Sequence, residues 1–261
     1  MKTLLHSIIW CPDEQTARLE TTRKHLLGMS SYTGSFDIYI SVYEAGETLK
    51  EIIEEFKSST QRNVLVEYIN TNEGWGWGRN RAIKRTLENS YDLLCTVDGD
   101  IWVTDLAWVT KAQKASSVCP VFMCRMDEQK CRTGGKTKFM GTTFDLYDEW
   151  LGCINVFRSY VFKKVGGYNI KDLPKRWGFS DPLQGRSLMK EGYFKEFGRF
   201  YPSLAGLGVI EEQDKVYDAS LQSMKDEVVN TYGRVFSTLE YEILSGARPT
   251  FFDYNYEQTE F

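Results

Sequence analysis

Four short apolar runs, separated by polar stretches across the first hundred residues, limit the fold more than any other feature. Residues 3–10 (TLLHSIIW), 36–43 (FDIYISVY), 64–69 (VLVEYI) and 91–97 (YDLLCTV) have the length and apolar content of buried strands. The stretches 13–29, 47–58 and 79–89 between them are charged, with Leu and Ile recurring as on surface helices. Such strand–helix alternation predicts an α/β fold, a Rossmann-like, mainly parallel sheet flanked by helices. Ligands of such sheets bind beyond the carboxyl ends of the strands. Three polar loops, 11–14, 70–79 and 98–102, begin at those ends, which predicts one site built from all three.

The second half is less regular. A strand is expected near 119–125, followed by a mobile loop over 127–143 that is rich in Gly, Lys and Thr. Residues 153–165 read as a strand and short helix stopped by Gly166-Gly167, and 174–182 as an aromatic loop before a helix at 183–191. From 211 to 244 a stripe of Val216, Leu221, Met224, Val228, Tyr232, Val235, Leu239 and Ile243 predicts a long helix or helix pair. One domain is expected, with a catalytic part at 1–210 and a helical extension packed on it at 211–261. The catalytic part divides into a nucleotide-sugar half, 1–105, and an acceptor-side half, 106–210.

Charge and cysteines narrow the function classes. The net charge of −4 gives no global attraction to nucleic acid or anionic membranes, although Lys130, Arg132, Lys136 and Lys138 form a local basic patch. No run approaches 18 apolar residues and no leader peptide is evident, so no membrane span and a cytoplasmic location are expected. The six cysteines lack a CxxC pair, as expected of reduced, core-filling thiols.

Asp98-Gly99-Asp100 follows the fourth apolar run directly. Two carboxylates separated by a glycine in a turn can converge on a hard cation such as Mn²⁺ or Mg²⁺, whose remaining positions suit phosphate oxygens. A solvated Asp-Gly turn is the other reading. Just upstream, NTNEGWGWGRNRAIKR (70–85) places Gly74, Gly76 and Gly78 before Arg79, Arg81, Lys84 and Arg85. Backbone N–H groups at a helix start with cations nearby suit a phosphate. A structural loop leading into a solvated basic helix would look the same. The glycines do not form a P-loop, because GxxxxGK[ST] is absent.

Together, the R-N-x-A helix start and the apolar strand ending in DxD resemble family-2-type glycosyltransferases of the GT-A fold. The resemblance implies that Asp98 meets the nucleotide ribose, that Asp100 binds the metal with Asp98 beside it, and that Gly74, Arg79 and Asn80 border the nucleotide sugar. It places Pro12, in the loop after the first strand, and Glu44, after the second, at the base. A second block, GCINVFRSYVFKKVGGYN…RWGFSD (152–181), is similar to galactosyltransferase-like members with a WGxxD element. There the closing acid serves as general base, a role that falls to Asp181, with Trp177 and Gly178 as a platform for acceptor or sugar. Asp181 before Pro182 also suits a helix N-cap. Ser180 replaces an acidic residue common in relatives, and no late His follows near 203–208 to complete the metal ligands.

The implied activity is metal-dependent, inverting, hexosyltransferase-type transfer from a nucleotide-diphosphate sugar, with UDP-sugars foremost, to a hydroxyl. Acceptor classes left open are a glycan, a protein and hydroxymethylated viral DNA. Two rival functions stand beside it: a nucleotidyltransferase acting on a sugar phosphate, and a non-catalytic nucleotide-sugar-binding protein.

Overall fold

The computed structural model describes residues 1–11, 16–71, 74–124, 133–150, 153–172, 180–207, 209–211 and 215–254. The first half alternates strand and helix: β1 (Thr3–Trp10), α1 (Thr16–Ser31), β2 (Asp37–Tyr43), α2 (Glu47–Ser59), β3 (Val64–Ile69), α3 (Trp75–Glu88) and β4 (Leu93–Asp98). A short β5 (Ile101–Val103), α4 (Trp108–Ala115) and β6 (Val121–Met123) follow. The second half contains β7 (Thr133–Phe139), β8 (Thr142–Tyr147), β9 (Ile154–Arg158), α5 (Phe162–Val165), α6 (Ser180–Lys190), β10 (Tyr201–Leu204), β11 (Val209–Glu211) and α7 (Lys215–Ser245).

Nine strands form one sheet in the order β3-β2-β1-β4-β9-β6-β10-β8-β7. Seven run the same way, and β8 and β9 run against them, so the sheet is mainly parallel. β1 lies between two strands and is buried along almost its whole length, which explains its unbroken apolar run. Helices cover both faces. Ser7 bonds His25 of α1, while its neighbour Ile8 presses on Gly78 of α3, and successive strand residues point to opposite faces. A two-stranded sheet of β5 and β11 sits beside the main one.

Two expectations need correction. Much of the loop expected at 127–143 is a β-hairpin: β7 and β8 pair in antiparallel register, with Met140 and Gly141 at positive φ in the turn. Its Gly-Lys-Thr composition reflects an exposed edge strand, which needs no apolar alternation. The basic helix expected from 79 begins four residues earlier, at Trp75, and two of its glycines are packing sites. A Cβ on Gly78 would lie 2.7 Å from Ile8 Cδ1, and one on Gly76 would lie 3.0 Å from Ile170 Cγ2.

The long C-terminal pattern is a single helix of 31 residues. Leu239 and Ile243 of α7 bury against Leu183 of α6, with Phe236 and Phe252 packed around them. Arg186 of α6 joins Glu240 of α7 at 2.6 Å and Tyr201 of β10 at 2.8 Å. After α7 the chain returns as a strap. Phe252 N–H donates to Val165 O at 3.1 Å, and Gly167 N–H donates to Phe252 O at 2.6 Å. Gly166 lies at φ 66°, and a Cβ there would overlap Phe252 O, so only glycine admits the strap. Arg248 pairs with Asp172 at 2.8 Å and extends the attachment.

Among the described residues, no helix is long and apolar enough to cross a membrane. Cys11, Cys95, Cys119, Cys124 and Cys153 are unbridged, and burial pushes the Cys95 and Cys124 thiols up. Cys131 lies outside the described residues.

Candidate active site

The site starts at the carboxyl end of β4. Asp98 is its last residue, opposite Ile8 of β1, and its N–H donates to Cys153 O at 3.0 Å. The chain then turns sharply at Gly99, where a Cβ would come within 2.5 Å of Ile8 O. That close approach to backbone explains the glycine between the two carboxylates. Asp100 leads into β5, whose register is held from α1. His25 pairs through Nδ1 with Ile101 O and through Nε2 with Ser7 Oγ. Burial lowers its pKa to about 4, so the ring is neutral at pH 7. The neutral tautomer that donates from Nδ1 to the carbonyl and accepts the serine hydroxyl at Nε2 satisfies both contacts.

Helix α3 brings a cation to Asp98. The fully buried Arg79 donates from its NH2 nitrogen to Asp98 Oδ1 at 2.6 Å, and Trp75 Nε1 donates to the same oxygen at 3.0 Å. The guanidinium also lies over the Trp75 ring, 4.6 Å from its centroid. Gly74 caps this helix at φ 91°, and its carbonyl accepts the Tyr43 hydroxyl at 3.2 Å. Ile8, Tyr43 and Ile69, with Trp10 and Trp75 against them, make an apolar patch at the strand ends.

Asp181 enters from the first turn of α6. Burial pushes its carboxyl well above the usual carboxylate range; Arg79 draws it down and the Asp98 charge raises it further. One buried guanidinium therefore acts on both carboxylates, by contact at Asp98 and through its charge at Asp181, although they lie 83 positions apart in sequence. Burial likewise raises Asp100, and Arg18 opposes that rise. Tyr168 adjoins the cluster: its ring meets Trp75 edge-on at 6.2 Å between centroids, and burial and the Asp181 charge raise its hydroxyl.

The remaining candidates divide. Asn80 is buried, and its amide grips the Tyr168 backbone. Glu44 lies just after β2 with φ 51°, and its carboxylate accepts Trp10 Nε1 at 2.7 Å; β1 stands between its strand and that of Asp98. Pro12, Trp177 and Gly178 lie outside the described residues. Lys136 and Lys138 of the basic patch are on the exposed β7 edge, where Lys136 lies 3.7 Å from Asp145. The sequence gives no sign of a role for Arg18 or Tyr168, whereas Trp75, an aromatic among glycines, suits a flat or sugar-like ligand. Tyr168 stands inside the VGGYN segment, where the glycines are the more conspicuous residues.

No family model and no curated protein matches the sequence. Solved structures do. A mannosyltransferase, PcManGT from Pyrobaculum calidifontis in complex with GDP-Man and Mn²⁺, superposes with a TM-score of 0.62 at 8% identity, over 94% of this chain and 68% of that one. S. aureus TarS 1–349 in complex with UDP-GlcNAc gives 0.54 at 13% identity, over 82% of this chain and 60% of that one. This chain therefore spans less than two thirds of the TarS fragment. The same fragment with UDP gives 0.52 at 15% identity over 73% of this chain. At these identities the likeness concerns the fold, and the chain has a GT-A-like glycosyltransferase fold.

Proposed function

We propose that this chain is a glycosyltransferase that moves a sugar from a nucleotide-diphosphate donor to an acceptor hydroxyl. The observation that carries the reading is the Arg79 guanidinium: it holds Asp98 at the strand end, and its charge reaches Asp181 of α6, whose Oδ1 is buried. A donor-side acid and an acceptor-side acid thereby come under the influence of one buried cation. The bound GDP-Man and UDP-GlcNAc of the two structural neighbours favour a sugar nucleotide as donor.

The donor set suits a divalent ion. Asp98 and Asp100 offer carboxylate oxygens from one turn, the ligand type that Mn²⁺ or Mg²⁺ takes alongside water and substrate phosphate. Among the described residues, no three His, Cys, Asp or Glu side chains gather into a metal site. Asp100, with Asp98 beside it, would hold the ion only when the diphosphate supplies further ligands. When bound, such an ion offsets the charge that grows on the departing diphosphate.

The chain's own groups perform the rest. Arg79 and Trp75 fix the Asp98 carboxylate in the orientation that receives the donor ribose. Gly74 and Arg79 border the diphosphate, and Asn80 acts by holding Tyr168. Pro12 and Glu44 border the base, and Trp177 with Gly178 forms the sugar platform. Asp181 takes the proton of the acceptor hydroxyl as its oxygen attacks C1; the bond from C1 to the diphosphate breaks on the opposite face, which inverts the anomeric centre. A carboxylate with a raised pKa is a stronger base once ionised. The acceptor is a glycan, a protein or hydroxymethylated DNA.

A screen of UDP-, GDP- and TDP-sugars, read as nucleoside diphosphate release with Mn²⁺ or Mg²⁺, tests the proposal. Release with one donor, lost in Asp100→Ala, is the expected result. No release with any donor, together with unchanged nucleotide binding in Asp100→Ala, would sink it.

A further inference from the structure

The inward face of α6 is more polar than a helix packed into a core should be. Asp181, Gln184 and Ser187 follow one another at intervals of three, so each lies a turn beyond the last, with Cβ atoms about 5–6 Å apart between neighbours. Gln184 and Ser187 are 0% exposed. Both heads of the Gln184 amide, the Ser187 hydroxyl and Asp181 Oδ1 are buried without a hydrogen-bond partner from the protein. The indole N–H of Trp150 is in the same condition, and that residue packs on the same helix, where a Cβ on Gly185 would lie 2.4 Å from Trp150 Cβ.

Burying one such group unpaired costs about 1–3 kcal/mol, and native proteins carry few of them. A stripe of them beginning at the proposed base is therefore a poor stability device. It matches a ligand rich in hydroxyls. A carboxamide both donates and accepts, as a hydroxyl does, and next to a carboxylate it can engage a second hydroxyl on the same ring while the first faces the base. The apolar residue that would suit a core at 184 could not do this.

We propose that Gln184 is a specificity-determining residue: with Asp181 it forms the acceptor subsite, and the acceptor is a pyranose that presents two neighbouring hydroxyls. The proposal rests on the glycosyltransferase reading and narrows its acceptor to a glycan. Motion that uncovers Asp181 for an acceptor then uncovers Gln184 as well, since they share one helix face. A hydroxyl pair would supply the partners that no protein group supplies, so a hydroxyl-poor acceptor would lose much of its binding.

Gln184→Met tests this, because it keeps the length of the side chain and removes both polar heads. Melting is followed for wild type and variant with no ligand, with UDP or GDP plus Mn²⁺, and with methyl glucoside, galactoside, mannoside or N-acetylglucosaminide added to the nucleotide. The expected variant melts higher than wild type without ligand, keeps the nucleotide response, and binds the responding glycoside at least tenfold more weakly. The proposal is overturned if the variant melts lower without ligand, if it binds the glycoside as wild type does, or if no glycoside shifts wild type. Absence of any nucleotide response in wild type would instead sink the transferase reading.

Discussion

Asn80 holds one residue by both ends of its peptide backbone: its Oδ1 accepts the Tyr168 N–H at 2.7 Å and its Nδ2 donates to the Tyr168 carbonyl at 3.0 Å. A Cβ on Gly167 would lie 2.2 Å from the same Oδ1, so the glycine before Tyr168 makes room for the clamp. Asn80→Ala leaves a buried N–H and a buried carbonyl without partners. A loss of about 2–4 kcal/mol in stability is expected, measured as a lower denaturation midpoint with unchanged slope. An unchanged midpoint would show that the clamp is dispensable.

Gly99 and Gly233 should respond in opposite directions to the same change. Gly99→Ala drives a methyl group into the Ile8 carbonyl, so stability and nucleotide binding should fall together. Gly233 lies in α7 with open space around its Cα, and Gly233→Ala should stabilise by about 0.5–1 kcal/mol. Thermal melting of the two variants side by side checks both directions.

Arg79→Met removes the cation that pairs with Asp98 and whose charge reaches Asp181. The Asp181 carboxyl should then titrate higher still, because Arg79 is the group that draws it down. A carboxyl ¹³C titration of Asp181 gives the readout. A fall in its pKa would contradict the cluster as described.

Asp181→Asn should separate stability from turnover. With the folded pKa raised, the protonated Asp181 carboxyl is the form that favours folding, and its contribution, fully present at low pH, is lost as pH rises through the folded value. The variant should therefore melt higher than wild type at neutral pH, bind donor nucleotide normally and transfer no sugar. Residual transfer at the wild-type rate would remove Asp181 as the base.

His25 sets an acid limit of the opposite sign. Its folded pKa of about 4 lies below the 6.5 of an unperturbed ring, so the unfolded chain binds the extra proton first. The stability involved is fully present above pH 6.5 and declines by up to about 3 kcal/mol as pH falls towards 4. Stability curves of wild type and His25→Gln should converge in that window. Parallel curves would show that His25 does not carry the effect.

β1, β2 and β4 were readable because each is a continuous apolar run buried along almost its whole length, and composition alone marks such a run; β3, at the sheet edge and half-exposed, was readable from its Val, Leu and Ile content. β7 was not, since TGGKTKF takes its strand form from pairing with β8 at an exposed edge. The start of α3 was hidden by its glycines, which look like a ligand loop until Ile8 and Ile170 are seen pressing on them. Asp98 and Asp181 each stood out within a motif. Their common partner did not, because only the crossing of α3 over β4 brings Arg79 to one and within reach of the other. The unpartnered amide of Gln184 has no signature in sequence at all, since a missing hydrogen bond is a property of the surroundings.

The strap at Phe252 has a consequence for biosynthesis. It pairs with Gly166 and Gly167, the two residues before Tyr168, after a separation of 86 positions. A ribosome-bound chain that has released α1 to α6 therefore still lacks the backbone partner that fixes Tyr168 from behind. The first four strands and their helices can assemble during translation, whereas the segment around Tyr168 waits until residue 252 has left the exit tunnel.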